Sequence, residues 1–346
     1  MRRVLVTGGC GFVGTNLSLH FASKTGVSVL AIDNLSRRGV EINARRLENA
    51  GVKVVRQSVQ DSVAHAIDWK PDVILNCAAQ SSATGGMVDP MRDFYDNLET
   101  VACALEIARA SKSCFFQWST NKVYPAEAIN EYNTDEEETR YRVRSLCSDL
   151  TLSRQPGSRS IYGATKVAAE ALIEEWARAY SIPTIVNRFS CLAGKYQLGC
   201  ADQGWVAIWI ISHMFGNPLT YYGWKGKQVR DILAADDLCN LIEKQAVYLS
   251  HSSPPVYEIY NVGGGTEQTL SLCEATILCQ QITGKTVGYH VSEEIRWADH
   301  RVYVSDIGRV CAKFDWYPMV SPRNLLRQIQ DWAETEWDTL KEHYCA

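Results

Sequence analysis

The feature that most constrains the fold lies at the N-terminus. "RRVLVT", from Arg2 to Thr7, is a short apolar run rich in valine and leucine, and "GFVGTNLSLHFAS" follows it with helical spacing. Such a run reads as a strand buried on both faces, and the amphipathic segment behind it as a helix packed back on the sheet. Gly8, Gly11 and Gly14 occupy the turn between them. Small residues at that spacing permit a tight turn, a close backbone approach to a phosphate, and close helix–strand packing. The helix N-terminus, with Phe12 and Val13 in its first turn, adds partial positive charge. A glycine-rich turn alone is a weak signal; in this strand–turn–helix context it points to a dinucleotide pyrophosphate.

The same rhythm continues. "VSVLAID" ending at Asp33, "VKVVR" ending at Arg56, "DVILNCA" ending at Ala78 and "SCFFQWS" ending at Ser119 read as further strands. Helical segments lie between most of them, one over about residues 90–110. This predicts an α/β chain with a Rossmann-type, doubly wound parallel sheet over residues 1–188. A polar stretch from Glu127 to Ser158 interrupts it and is read as an ordered insertion rather than a linker. Residues 189–346 are expected to form mainly a smaller C-terminal α/β lobe for substrate, with interleaved boundaries.

Bulk properties remove several classes of function. A chain of 346 residues can bury a large core, and a net charge of -4 gives no case for nucleic acid or an anionic membrane surface. No apolar stretch reaches the roughly 18 residues that span a bilayer. The twelve cysteines contain no CxxC pair, so they read as reduced thiols, without a metal centre, in a cytoplasmic protein. The first residues run straight into a strand pattern, which also fits a cytoplasmic location.

Asp33 closes the second strand. A carboxylate there accepts both hydroxyls of an adenosine ribose and repels a 2′-phosphate, which favours NAD over NADP although Arg37 and Arg38 follow it. Tyr162 and Lys166 stand one helical turn apart, on one face. A lysine ammonium beside a tyrosine hydroxyl is expected to lower its pKa and let it work as a base near neutral pH. Thr120, at the end of "SCFFQWST", offers a hydroxyl to a reacting sugar oxygen.

Glycine turn, Asp33, Thr120 and the Tyr162/Lys166 pair occur in the order of an extended short-chain dehydrogenase/reductase, the NAD-dependent epimerase/dehydratase family, which the chain resembles over nearly its full length. The resemblance implies NAD that is reduced and reoxidised within one catalytic cycle. It puts Asn34, Ser36, Arg37, Ser58 and Val59 at the adenosine end, with Ser58 where the family usually has an adenine-contacting aspartate. Asn76, Ala78, Ala79 and Gln80 would line the cofactor cleft, Asn97 would brace the active-site helix, and Arg188 would complete the cofactor set with Tyr162 and Lys166.

"DNLSRRG" from Asp33, "STNKVY" from Ser119, "DQGWV" from Asp202, "GKQVRD" from Gly226 and "DHRVYVSD" from Asp299 resemble the CDP-tyvelose (CDP-paratose) 2-epimerase branch of that family. That likeness implies a CDP-hexose substrate and inversion at C2 through a 2-keto sugar, because a C2 hydrogen next to a hydroxyl is not acidic enough for direct removal. It places Thr84, Thr120, Asn121, Gln203 and Gln228 on the substrate side. Arg230, Arg296 and Arg301 are candidates for the diphosphate, since forked donors match phosphate oxygens. Gly85 and Gly86 are expected to loosen the loop facing the sugar. The family also implies a homo-oligomer, a dimer or tetramer.

Other reactions use the same core. A 4-epimerase of UDP-hexoses needs the same residues. A 4,6-dehydratase usually carries Asp-Glu directly after the catalytic threonine, where this chain has Asn121 and Lys122. A non-catalytic NAD sensor usually lacks the tyrosine or the lysine.

Overall fold

Val4, Leu5 and Val6 are fully buried in strand β1 (Arg3–Thr7), as a valine- and leucine-rich run covered on both faces requires. Four more strands follow, β2 (Ser28–Ile32), β4 (Val73–Asn76) and β5 (Cys114–Thr120) largely buried and β3 (Lys53–Val55), at the sheet edge, only in part. β1 pairs in parallel with β2 and with β4; β3 adds to β2 and β5 to β4, also in parallel. Strands Thr184–Phe189 and Tyr257–Val262 extend the sheet beyond β5, giving seven strands in all. The chain therefore winds outward in both directions from β1, and a crevice opens where the direction reverses, past the ends of β1 and β4. Beneath it the Thr7 hydroxyl donates to Asn76 Oδ1 at 2.5 Å, and Asn76 Nδ2 donates to Gln117 Oε1 at 2.7 Å, so the buried polar ends of β1, β4 and β5 satisfy one another.

This computed structural model describes residues 1–143, 153–200 and 202–345. The chain divides into two compact units. Unit 1 comprises Met1–Val123, Ile161–Arg188 and Leu238–Tyr260; unit 2 comprises Tyr124–Ser160, Phe189–Asp237 and Asn261–Ala346. The core of unit 1 is continuous: Leu5, Leu30, Ile32, Ile74 and Phe115 of the sheet pack with Val101, Leu105 and Ile107 of helix Thr100–Ser111 and with Ala169 and Ile173 of helix Ser160–Tyr180. Each large apolar side chain buried this way contributes about 1.5–3 kcal/mol.

Two boundaries differ from the sequence expectation. Residues 238–260 lie with unit 1, because the strand they lead into joins the large sheet. The insertion lies with unit 2 rather than with the Rossmann unit. Its described part is an antiparallel pair, Thr134–Glu136 with Tyr141–Val143, anchored when Arg140 donates to Glu274 at 2.8 Å and Tyr141 N to Lys227 O at 2.9 Å. Residues 144–152 of that stretch lie outside the described residues. Long-range ties of this kind leave no mark on local periodicity. The helical run over 90–110 is also interrupted: a π-helical turn, Tyr95–Glu99, separates helices Pro90–Phe94 and Thr100–Ser111.

Unit 2 is built around strand Val229–Ala234, which pairs in parallel with Cys191–Ala193 and Val302–Tyr303 and antiparallel with Thr269–Ser271. Among the described residues no helix is long and apolar enough to cross a membrane.

Candidate active site

The glycine turn follows β1. Gly8 adopts φ +61°, and a Cβ on it would stand 2.7 Å from the Cα of Ala78. Gly14 sits inside helix α1 (Phe12–Ala22), where a Cβ would lie 2.2 Å from the Gly8 carbonyl oxygen. These glycines let α1 press against the turn. Gly11 caps α1 and no side chain accepts from the first-turn amides, nor does an acidic residue occupy that turn. The amides of Phe12 and Val13 are thus available to an anion, and a Cβ on Gly11 would meet nothing nearer than Gly8 O at 3.2 Å.

Asp33 stands at the end of β2. Its Oδ2 accepts from Cys10 N and its Oδ1 from Leu35 N, both at 2.9 Å. Burial pushes its carboxyl above the usual range, while these amides and that of Gly11 pull it back. Asn34 and Ser36 are exposed beside it, with Ser36 N donating to Asn34 Oδ1. Arg37 is half-buried in the same loop. Ser58 donates to Asp61 Oδ2 at 2.6 Å, so a carboxylate is held next to the position where the family usually carries one. Val59 is part of the core. An uncapped helix start, bare glycine backbone and a ribose-type carboxylate fit NAD. If this is the pyrophosphate seat, Gly14→Ala forces the turn off α1, costs about 1–3 kcal/mol of stability, and leaves purified protein largely free of nucleotide, as nucleotide analysis after denaturation would read.

Thr120 ends β5 and Tyr162 and Lys166 face it from helix Ser160–Tyr180. Tyr162 is hydrogen-bonded to Thr120. The expectation that Lys166 lowers the Tyr162 pKa needs correction. Burial pushes Tyr162 up to about 12, the Thr120 bond opposes that rise, and Asp93 adds to it. Lys166 Nζ lies 5.9 Å from the ring centroid and donates to Trp118 O at 3.3 Å. Lys166 is itself pushed down to about 8 by burial, with Asp93, Glu170 and Cys77 resisting. Asn97 Nδ2 donates to Thr165 Oγ1 at 3.2 Å, and Thr165 Oγ1 to Tyr162 O at 2.9 Å, so Asn97 does brace this helix. Asn121 is buried beside Thr120, whose hydroxyl donates to Asn121 Oδ1 at 3.3 Å.

Ala78 packs on Gly8, Ala79 is exposed, and Gln80 is half-buried. Gln80 Nε2 donates to Ser82 O at 2.8 Å and to Asp93 Oδ1 at 2.7 Å. The segment with Gly85 and Gly86 is not the loosened loop expected. It is a short helix, Ala83–Val88, capped when the Ser82 hydroxyl accepts from Gly85 N, and Thr84 lies 3.1 Å from that hydroxyl. Arg188 is buried and holds Glu170 with two donors, at 3.0 and 2.6 Å, while Ser119 donates to the same carboxylate at 2.5 Å.

The remaining candidates lie in unit 2. Arg230 donates to Asp299 at 2.8 Å on the strand that pairs with Val302–Tyr303. Arg301 lies over the Tyr141 ring and donates to Asn130 O, and Arg296 lies over the Tyr222 ring. Gln228 donates to Tyr222 O, while Gln203 forms a backbone bridge with Cys200. Three residues escaped sequence reasoning: Asp93, Glu170 and Ser119. A glutamate one turn beyond Lys166 is a readable signal for the second. Asp93 carries none, because its partners lie on other elements.

The family model described as "NAD dependent epimerase/dehydratase family" matches residues 4–263. Over its length the chain is similar to a CDP-paratose 2-epimerase of Salmonella typhi, 32% identical with 96% of this chain and 99% of the relative covered. It is also similar to a dTDP-glucose 4,6-dehydratase of Salmonella typhimurium, 26% identical with 97% and 94% covered. Among solved structures, UDP-glucose 4-epimerase of Thermotoga maritima superposes with a TM-score of 0.79, at 24% identity over 97% of this chain and 99% of that one. The Thermus thermophilus UDP-glucose 4-epimerase in complex with NAD gives 0.77, at 24% identity over 96% and 99%. These two likenesses concern the fold.

Proposed function

We infer a reaction from one premise: this chain belongs to the NAD dependent epimerase/dehydratase family. The reaction is inversion at C2 of a CDP-activated hexose or deoxyhexose, through a transient 2-keto sugar. The observation that carries it is the likeness to a CDP-paratose 2-epimerase, 32% identical and matched almost end to end. The site is consistent with that reading. Asn121 and Lys122 follow Thr120, so the acid pair typical of a dehydratase is missing from that position.

When bound, NAD supplies a hydride acceptor and donor. The chain's own groups handle the proton and the geometry. Thr120 binds the reacting oxygen and orients it toward Tyr162, which as the phenolate takes the hydroxyl proton at its Oη, becomes the phenol, and later returns that proton. Lys166 holds positive charge behind the pair. The amides of Phe12 and Val13 receive the pyrophosphate and Asp33 the adenosine ribose. Arg230, Arg296 and Arg301 are the proposed ligands of the sugar-nucleotide diphosphate, with Gln203 and Gln228 and, in unit 1, Thr84 as further sugar contacts. A homo-oligomer and a cytoplasmic location belong to the same reading.

The test is proton NMR of purified protein with CDP- and UDP-hexoses and no added NAD. Inversion at C2 of a CDP-sugar is the expected outcome. Inversion at C4 of a UDP-sugar would replace this reading with a 4-epimerase that keeps the same cofactor and the same tyrosine and lysine.

A further inference from the structure

We propose that Ser119 is a positioning residue for the reacting groups: its hydrogen bond to the Glu170–Arg188 pair fixes the end of β5, where Thr120 meets Tyr162 and Trp118 meets Lys166. The proposal rests on the reading of Thr120, Tyr162 and Lys166 as the site of proton transfer.

β5 runs on beyond the strand beside it. Its register with β4 extends from Cys114, opposite Val73, to Gln117, opposite Asn76, and there β4 ends. Trp118, Ser119 and Thr120 project past that point, toward the crevice. A strand end outside its ladder opens more easily than its middle unless other contacts hold it.

All three projecting residues are held by one helix, Ser160–Tyr180. Lys166 Nζ donates to Trp118 O at 3.3 Å, the Ser119 hydroxyl donates to Glu170 Oε1 at 2.5 Å, and Thr120 is hydrogen-bonded to Tyr162. Tyr162, Lys166 and Glu170 are spaced four residues apart, so they form one stripe along the helix. The bond between Thr120 and Tyr162 changes during a turnover, because Tyr162 gains and loses a proton and Thr120 takes up the substrate oxygen. The Ser119 bond has no part in that exchange.

Its acceptor is also firmly fixed. The Glu170 and Arg188 side chains are buried together, and Arg188, on the neighbouring strand Thr184–Phe189, donates to both carboxylate oxygens, at 3.0 and 2.6 Å. Tyr257 donates to the Glu170 carbonyl at 3.4 Å from the strand beyond. A carboxylate gripped by two guanidinium donors is geometrically specific, and a hydroxyl bonded to it makes a stronger bond than one between neutral groups. Ser119 thus ties the projecting end of β5 to a rigid point shared by the helix and the next strand. Thr120 is the residue that follows it, so the separation of Thr120 from Tyr162 is set by a bond outside the reaction.

The experiment is steady-state kinetics of Ser119→Ala in the NAD-loaded protein, by proton NMR on whichever nucleotide sugar the parent inverts. Alanine leaves Glu170 with both Arg188 donors, so the ion pair survives and no buried donor is stranded. kcat should fall about tenfold, the scale set by sub-ångström misplacement of reacting groups, with KM and NAD content unchanged. Ser119→Thr, which keeps the hydroxyl, should restore most of kcat. An unchanged kcat in folded, NAD-bearing Ser119→Ala overturns the proposal, as does a loss that Ser119→Thr shares in full. If Ser119→Ala does not fold, Ser119→Cys, close to serine in size but a weak donor, carries the same comparison. Inversion at C4 rather than C2 changes the reading of the sugar and leaves this comparison intact. A parent that inverts no nucleotide sugar fails that reading, and the proposal falls with it.

Discussion

Tyr162→Phe is expected to lower kcat by about 10²–10⁴-fold, the usual contribution of a positioned general acid–base group, while leaving fold and bound NAD unchanged. The ring is half-buried and packs without its hydroxyl, so circular dichroism and nucleotide content should match the parent. What disappears is the oxygen that Thr120 holds. Thr120 retains Asn121 as a partner, so the variant strands no buried donor there. The measurement is the rate of sugar inversion by NMR, alongside those two controls. A loss smaller than about tenfold would mean that another group moves the proton, since positioned acid–base groups rarely contribute so little.

Arg188→Ala should have the largest effect on stability. Arg188 and Glu170 form an ion pair at 2.6 Å with side chains only 5% and 8% exposed, reinforced by the second guanidinium donor and by Ser119. Removing one partner of such a pair leaves the other charged and buried, which costs about 3–5 kcal/mol. A lower urea midpoint at unchanged slope would read the loss. The variant also tests the cofactor role that resemblance gives Arg188. If Arg188 holds only Glu170, destabilisation appears equally with and without excess NAD. If it also touches NAD, added NAD stabilises the variant less than the parent.

The site was legible wherever its chemistry is written in short, local spacing. The glycines sit within one strand–turn–helix unit, Asp33 at the end of the next strand, and Tyr162 and Lys166 on one helical turn. The Asn97 brace followed from family resemblance, and its contact with Thr165 is present. Where the reading failed, the missing information was a packing partner on another element. Gly85 and Gly86 suggest looseness to a local eye, yet Gly86 is a close-packing position whose partner is Asp93. Tyr162 was expected to be acidified by Lys166. Its surroundings raise it instead, because burial depends on everything packed around the ring and not on one neighbour along the helix.

By itself, then, the sequence determined the parallel sheet, the glycine turn that follows its first strand, and the placing of Tyr162 and Lys166 on one face of one helix, because periodicity and short spacing report directly on backbone geometry. Tertiary structure alone decided that residues 124–160 join unit 2, that 238–260 return to unit 1, and that Glu170, Arg188 and Ser119 form one buried cluster. It also decided the seating of Asp93 against Gly86 and Gln80. These are contacts between different elements, and the energy of a buried charge is set by which groups surround it in space.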